Sequence, residues 1–354
     1  MKSNTQIFTN RLLLISGFLF SLILLSCEER KIIEIVPEPD YPKAFVVNGA
    51  SNNISIIDLN EQSVKKIIQM NEVGRFPHHI SISADGKKLA VAIPEFDFLL
   101  DHAALHNAGY NKGGIMIFDA QNGSTLLKID VPNVNFNAVF SADNNEIWTS
   151  SSTHSGEMFV YDTNNGVLKS RIPLGAIPTE VVFSKDGNYA FVALSEGNVV
   201  RVLDTKTKLI TKSIQVDALP TNVWAGIDDK IYVENKGIRS INIIDIKTLS
   251  VIDDIHVAFI PGQIAYNQLL NEFWVCQAGE NKVAYFQKTN SSWTQKGSII
   301  TDNDAHAVKF SKDMKRAFIV NQKGGTVSII DVVTHTKTKD ISVGSLPNGI
   351  VLKE

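Results

Sequence analysis

Cysteine is nearly absent from the chain: Cys27 and Cys276 are the two in 354 residues. That scarcity excludes a disulfide-stapled scaffold and any multi-cysteine zinc or iron–sulfur centre. An excess of charge of either sign is missing too. With 34 basic against 37 acidic residues, the net charge of −3 gives no reason to expect a nucleic-acid partner. Charged residues make up 20 % and apolar residues 44 %, a globular balance that argues against widespread disorder or coiled coil. No nucleophile elbow, phosphate loop or zinc-protease signature is present. No long helix-period segment interrupts the body of the chain.

Acidic residues are also missing from the first 26 positions. Lys2 and Arg11 precede an apolar stretch from Leu12 to Leu25, and the segment ends Leu24-Leu25-Ser26-Cys27. A basic start, an apolar run too short for a comfortable membrane span and a terminal cysteine form the layout of an export signal. The last four residues resemble a bacterial lipobox, which implies cleavage before Cys27 and lipidation of its thiol. The alternative is an uncleaved anchor. Cleavage would remove two basic residues and no acid, taking the net charge to −5. Residues 27–43 read as the lipidated cysteine and a charged, proline-bearing tether. Glu28 after the cysteine, in place of aspartate, leans toward the outer membrane. Cys276, inside the apolar run Phe273-Trp274-Val275-Cys276, reads as a buried, inert thiol.

The rest is a repeat. Aromatic or β-branched triplets centre on Phe45, Ala90, Trp148, Phe191, Tyr232, Trp274 and Phe318, at separations of 45, 58, 43, 41, 42 and 44. A later strand in each unit ends at Asp58, Asp119, Asp162, Asp204, Asp245 and Asp331, with Gln287 in the sixth place. Both registers count seven units and place one insertion, 94–112, in the second. Asp85-Gly86 and Asp186-Gly187 fit hairpins between first and second strands, and Asn122-Gly123 and Asn165-Gly166 between third and fourth. Four-stranded units of about 42 residues predict an all-β, seven-bladed propeller over 44–354. The chain ends on a lone first strand, Leu346 to Leu352, and starts with three strands over 44–69. The last strand should therefore close the ring with the N-terminal blade and remove its free edge.

Second strands such as Ala190-Phe191-Val192-Ala193, Ile231-Tyr232-Val233-Glu234-Asn235 and Ala317-Phe318-Ile319-Val320-Asn321 resemble those of YVTN-repeat, or YncE-like, propellers. So do the third strands Asn198 to Asp204 and Thr326 to Asp331. Trp148-Thr149-Ser150 and Trp274-Val275-Cys276 depart from that pattern. The resemblance implies the seven-bladed fold and company that includes surface lipoproteins, periplasmic proteins, ligand-capturing accessory proteins, lactonases and redox subunits. It identifies no ligand.

The histidines point to one face. Loops joining second to third strands, and each blade to the next, share the top. His78, His79, His102, His106, His154 and His306 all fall there. His335 falls in a bottom turn, and the face of His256 is left open. His102 and His106 stand one helical turn apart, and with Asp97 or Asp101 they suit one divalent metal. Positions equivalent to His78 are Phe136, Thr179, Thr221, Gly262, His306 and Asn348. Those equivalent to His79 are Asn137, Glu180, Asn222, Gln263, Ala307 and Gly349. One of these two rings should line the channel mouth and hydrogen-bond a small polar ligand. Phe76, Phe96, Phe98, Tyr110 and Phe136 lie near the same rim. The reading is a non-catalytic envelope lipoprotein, anchored in the outer membrane through Cys27, that binds a ligand, a transporter or a surface partner on its top face. A metal-dependent hydrolase or lactonase at the channel mouth and a structural or adhesion scaffold are the alternatives.

Overall fold

A computed structural model describes residues 40–70, 74–97, 112–226 and 228–354. They form strands β1 to β28, grouped into seven antiparallel four-stranded sheets arranged as blades. Blade 1 combines β1 (Lys43–Asn48), β2 (Asn53–Asp58) and β3 (Ser63–Gln69) with the last strand of the chain, β28 (Pro347–Lys353). Blade 2 is β4 (His78–Ile82), β5 (Lys88–Ile93), β6 (Gly113–Asp119) and β7 (Thr125–Val131). Blade 3 is β8 (Val139–Phe140), β9 (Glu146–Ser150), β10 (Glu157–Asp162) and β11 (Leu168–Pro173). Blade 4 is β12 (Pro178–Phe183), β13 (Tyr189–Leu194), β14 (Val199–Asp204) and β15 (Ile210–Gln215). Blade 5 is β16 (Pro220–Ala225), β17 (Lys230–Asn235), β18 (Ser240–Asp245) and β19 (Ser250–His256). Blade 6 is β20 (Pro261–Asn267), β21 (Glu272–Gln277), β22 (Lys282–Thr289) and β23 (Ser292–Ile300). Blade 7 is β24 (Ala305–Phe310), β25 (Arg316–Asn321), β26 (Thr326–Asp331) and β27 (Thr336–Ser342). The count of seven, the four-stranded unit and the closure by β28 agree with the repeat in the sequence. The insertion joins β5 to β6, as its place in the register requires.

Ring packing explains the composition of the strands. There are seven hydrophobic clusters, and each draws on two neighbouring blades. The second strand of a blade is covered on both faces, so β1 is buried at every residue and β5, β13 and β17 at all but the first. The outermost strands bury little, as in β15 and β27, because one edge meets solvent. Turn chemistry fixes the blade edges. Asp58, Asp119 and Asp204 each accept two backbone N–H bonds from the turn that follows, which stops the third strand. In blade 6, where Gln287 replaces that aspartate, β22 runs longer. It turns through Asn290 and Ser291, both at positive φ, as a two-residue hairpin requires.

The innermost strands carry the feature that positions the site. Each pairs with its neighbour through a shift of one residue: His78 opposes Ala92 but Ile80 opposes Val91, and the same offset recurs around the ring. In blade 3 it appears between the bridge Asn135–Ser151 and the pair Val139–Trp148. Such a bulge sets two consecutive residues against one and re-aims their side chains. Here it falls on the two rings read from the sequence.

Candidate functional site

The axial channel holds two chambers. The upper, about 350 Å³, takes walls from the first ring: His78, Phe136, Thr179, Thr221, Gly262 and His306. The lower, about 420 Å³, lies beneath the second ring. His79, Trp224 and Gln263 border both and form a floor between them.

The floor is built on strain and close approach. His79 sits at φ 49°, a left-handed conformation that costs on the order of 1–3 kcal/mol in a non-glycine residue. Its backbone N–H reaches Asn348 Oδ1 at 3.3 Å. The closing strand runs so near that a Cβ on Gly349 would lie 3.0 Å from His79 Cα, which is why glycine stands there. His79 Nε2 lies 2.5 Å from Glu180 Oε1, and Glu180 is 1 % exposed. The contact is not an aligned hydrogen bond, since Oε1 has no hydrogen-bond partner among the described residues. Trp224 Nε1 and, on the upper wall, Ser152 Oγ are likewise buried without a partner. Unsatisfied polar atoms gathered at one channel mark a place for water or a ligand.

The other imidazoles differ. His78 Nδ1 lies 3.0 Å from Phe136 O, and burial and the neighbouring His79 take its pKa well below the ordinary histidine value. Burial takes His306 down to about 4. Both therefore stay neutral at pH 7 and act as hydrogen-bonding groups. The carboxyl of Glu234 also borders the upper chamber, held by Thr221 Oγ1 at 2.9 Å and Asn222 Nδ2 at 3.0 Å. Burial pushes its pKa up, against the opposing pull of Lys236. Lys236 lines the same chamber, and Phe96 and Phe136 supply apolar wall.

The structure thus brings His78, His79, Asn222, Gln263 and His306 to the upper chamber, with Glu180 under its floor. Several ring amides are already engaged. Asn137 exchanges two bonds with the Val181 backbone of the next blade, and Gln263 Oε1 accepts from Val308 N at 2.8 Å. These side chains fasten blade to blade, which reduces what they offer a ligand. His154 stays outside both chambers, exposed on the top and 2.9 Å from Glu196. His335 is stacked on Tyr285 and paired with Glu272, and His256 is exposed beside Asp254. Asp101, His102, His106, Phe98, Tyr110 and Cys27 lie outside the described residues. Among the described residues no group of three His, Cys, Asp or Glu has the geometry to hold a metal. Trp224, Glu234 and Lys236 were not singled out from the sequence. Trp224 sits three residues after Thr221, a ring spacing that could have found it.

Residues 42–263 match the model of the choice-of-anchor I domain. The chain belongs to that family. Among curated proteins, none matches it. Solved structures similar to this choice-of-anchor I chain include the periplasmic gluconolactonase of Pseudomonas aeruginosa (13 % identity, TM-score 0.72, 88 % of this chain and 99 % of that one). Another is a functionally unknown protein of Desulfotomaculum acetoxidans (14 %, 0.71, 88 % and 98 %). A third is a putative 6-phosphogluconolactonase of Bacteroides fragilis (16 %, 0.68, 90 % and 100 %). At these identities the likeness is one of fold.

Proposed function

We propose that the chain is a lactone hydrolase whose site is the upper chamber. The observation that carries this reading is the contact between His79 and the buried Glu180 at the chamber floor. Among the described residues His79 Nδ1 has no partner, so it is the nitrogen left for water or substrate. A carboxylate this close stabilises, through its charge, the imidazolium formed when the ring takes a proton. Among the described residues His79 is the one imidazole of the chamber with that support. Water attacks the lactone carbonyl as His79 Nδ1 takes its proton. The ring C–O bond breaks as Glu234, whose pKa is raised by burial, gives a proton to the departing oxygen. A proton then passes from His79 to Glu234, and a hydroxy acid leaves. The new carboxyl group releases its remaining proton to water, and Lys236 draws the resulting carboxylate. A chamber of about 350 Å³ suits a monosaccharide-sized lactone, with Phe136 and Trp224 against its apolar face.

The fold shared with a periplasmic gluconolactonase and a putative 6-phosphogluconolactonase supports a sugar-acid lactone as the substrate class. Export and attachment through Cys27, akin to the YVTN-repeat lipoproteins, complete the proposal and would put the site in the envelope. Non-catalytic capture is the second reading, favoured by the interblade amide clamps, which make the mouth rigid. Hydrolysis of glucono-δ-lactone and its 6-phosphate, followed at constant pH against the spontaneous rate, separates the two. Turnover that falls in Glu234→Gln supports the hydrolase. Binding measured by calorimetry without turnover supports capture, and neither binding nor turnover removes both.

A further inference from the structure

The lower chamber contains a charge that the upper site does not use. Three residues after each first-ring position, the inner strands supply a third ring: Ser81, Val139, Val182, Trp224, Ala265, Lys309 and Val351. All seven line the chamber. Ser81 is satisfied, its hydroxyl donating to Ala138 O. Lys309 is the cation of this ring. Its side chain is exposed within the chamber, and desolvation by the surrounding protein lowers its pKa below the ordinary lysine value. Among the described residues no carboxylate pairs with it. Glu180, the acid in the chamber ceiling, contacts His79. An accessible cation with no carboxylate partner among the described residues, beside the apolar side chains Val139, Val182, Ala265 and Val351, places an anion-binding group next to a surface that takes hydrocarbon.

We propose that the lower chamber binds an amphipathic monocarboxylate, with its carboxylate on Lys309 and its hydrocarbon chain against the valines of the third ring. The volume of about 420 Å³ accommodates a medium-length acyl chain. This site is separate from the lactone chamber and does not depend on turnover there.

The test is calorimetric titration of the whole chain with octanoate and with 1-octanol, two probes of equal hydrocarbon length. Octanoate should bind at least about tenfold more tightly, the worth of a charge-assisted hydrogen bond. Hexanoate should bind about fourfold more weakly per methylene removed. Lys309→Gln should abolish the preference for the carboxylate, Lys309→Arg should keep it, and Ala265→Trp should weaken both probes by filling the chamber. Equal affinity for octanoate and octanol, no binding of octanoate, or unchanged octanoate affinity in Lys309→Gln would each overturn the assignment. The comparison of probes on the wild-type chain decides the matter even where a variant fails to fold.

Discussion

Removing residues 346–354 takes away β28, the inner strand of blade 1. That strand pairs with β1 from Lys43 to Asn48. Its Ile350 and Val351 are 4 % and 7 % exposed and belong to the clusters on either side of blade 1. Burying two such side chains contributes about 3–6 kcal/mol at about 1.5–3 kcal/mol each. The lost ladder adds roughly 1 kcal/mol for every backbone bond. The sum approaches the ~5–15 kcal/mol by which whole domains are stable. The deletion also bares β1, an apolar strand that then offers a free edge for aggregation. Thermal unfolding followed by circular dichroism, with size-exclusion chromatography, reads both effects. The truncated chain should melt at least about 5 °C lower, or without a cooperative transition, and should self-associate. The point variant Ile350→Ala should cost about 2–5 kcal/mol without removing the strand. An unchanged melt in the truncated chain would refute closure as the source of ring stability.

Acid should weaken the fold through the channel. His306 titrates near 4 in the folded chain, against about 6.5 when unfolded, so between those values the unfolded chain takes up a proton that the native one refuses. Its contribution is complete above pH 6.5 and is lost as pH falls toward 4. The loss is at most about 3 kcal/mol, and less because one side of the ring is wetted. Its surroundings include His79, Asp304 and Lys236, and His78 acts in the same direction. Urea unfolding across pH 8 to 4 should show this slope, and His306→Asn should flatten it; parallel slopes would contradict the assignment. Cys276 is fully buried and its thiol pKa is pushed well up, so a thiol reagent should label it only on unfolding. Rapid labelling at Cys276 of the native chain, located by peptide mass mapping to separate it from Cys27, would show that blade 6 opens.

The blades were legible because their signal repeats. Aspartates at third-strand ends, glycines in turns and strands apolar on both faces each recur about every 42 residues, and each has a local cause. The rings were legible as registers, since equivalent positions in the repeats must occupy equivalent heights in the channel. What the rings do was not. Asn137 and Gln263 read as ligand-facing amides because their bonds to the next blade link residues distant in sequence. Glu234 entered the sequence reading only as a member of a YVTN-like second strand, yet it borders the chamber with Thr221 and Asn222 holding its carboxyl. The bulge recurs in every blade, but the pairing of His79 with Glu180 also depends on the close passage of Gly349 and joins side chains about a hundred residues apart, which no repeat register shows. His154 shares the top face but sits on a loop that carries it to the rim and to Glu196.

In the proposed hydrolysis His79, backed by Glu180, acts as the base on a lactone. The most direct measurement compares kcat/KM for lactone hydrolysis in the wild-type chain, His79→Gln and Glu180→Gln, with calorimetric affinity for the hydroxy-acid product as a control. Loss of the base should lower kcat/KM by about 10²–10⁴-fold while product binding changes little. Glu180→Gln should retain binding and lower kcat. Hydrolysis at the wild-type rate in His79→Gln, or a wild-type rate no faster than buffer, would contradict it.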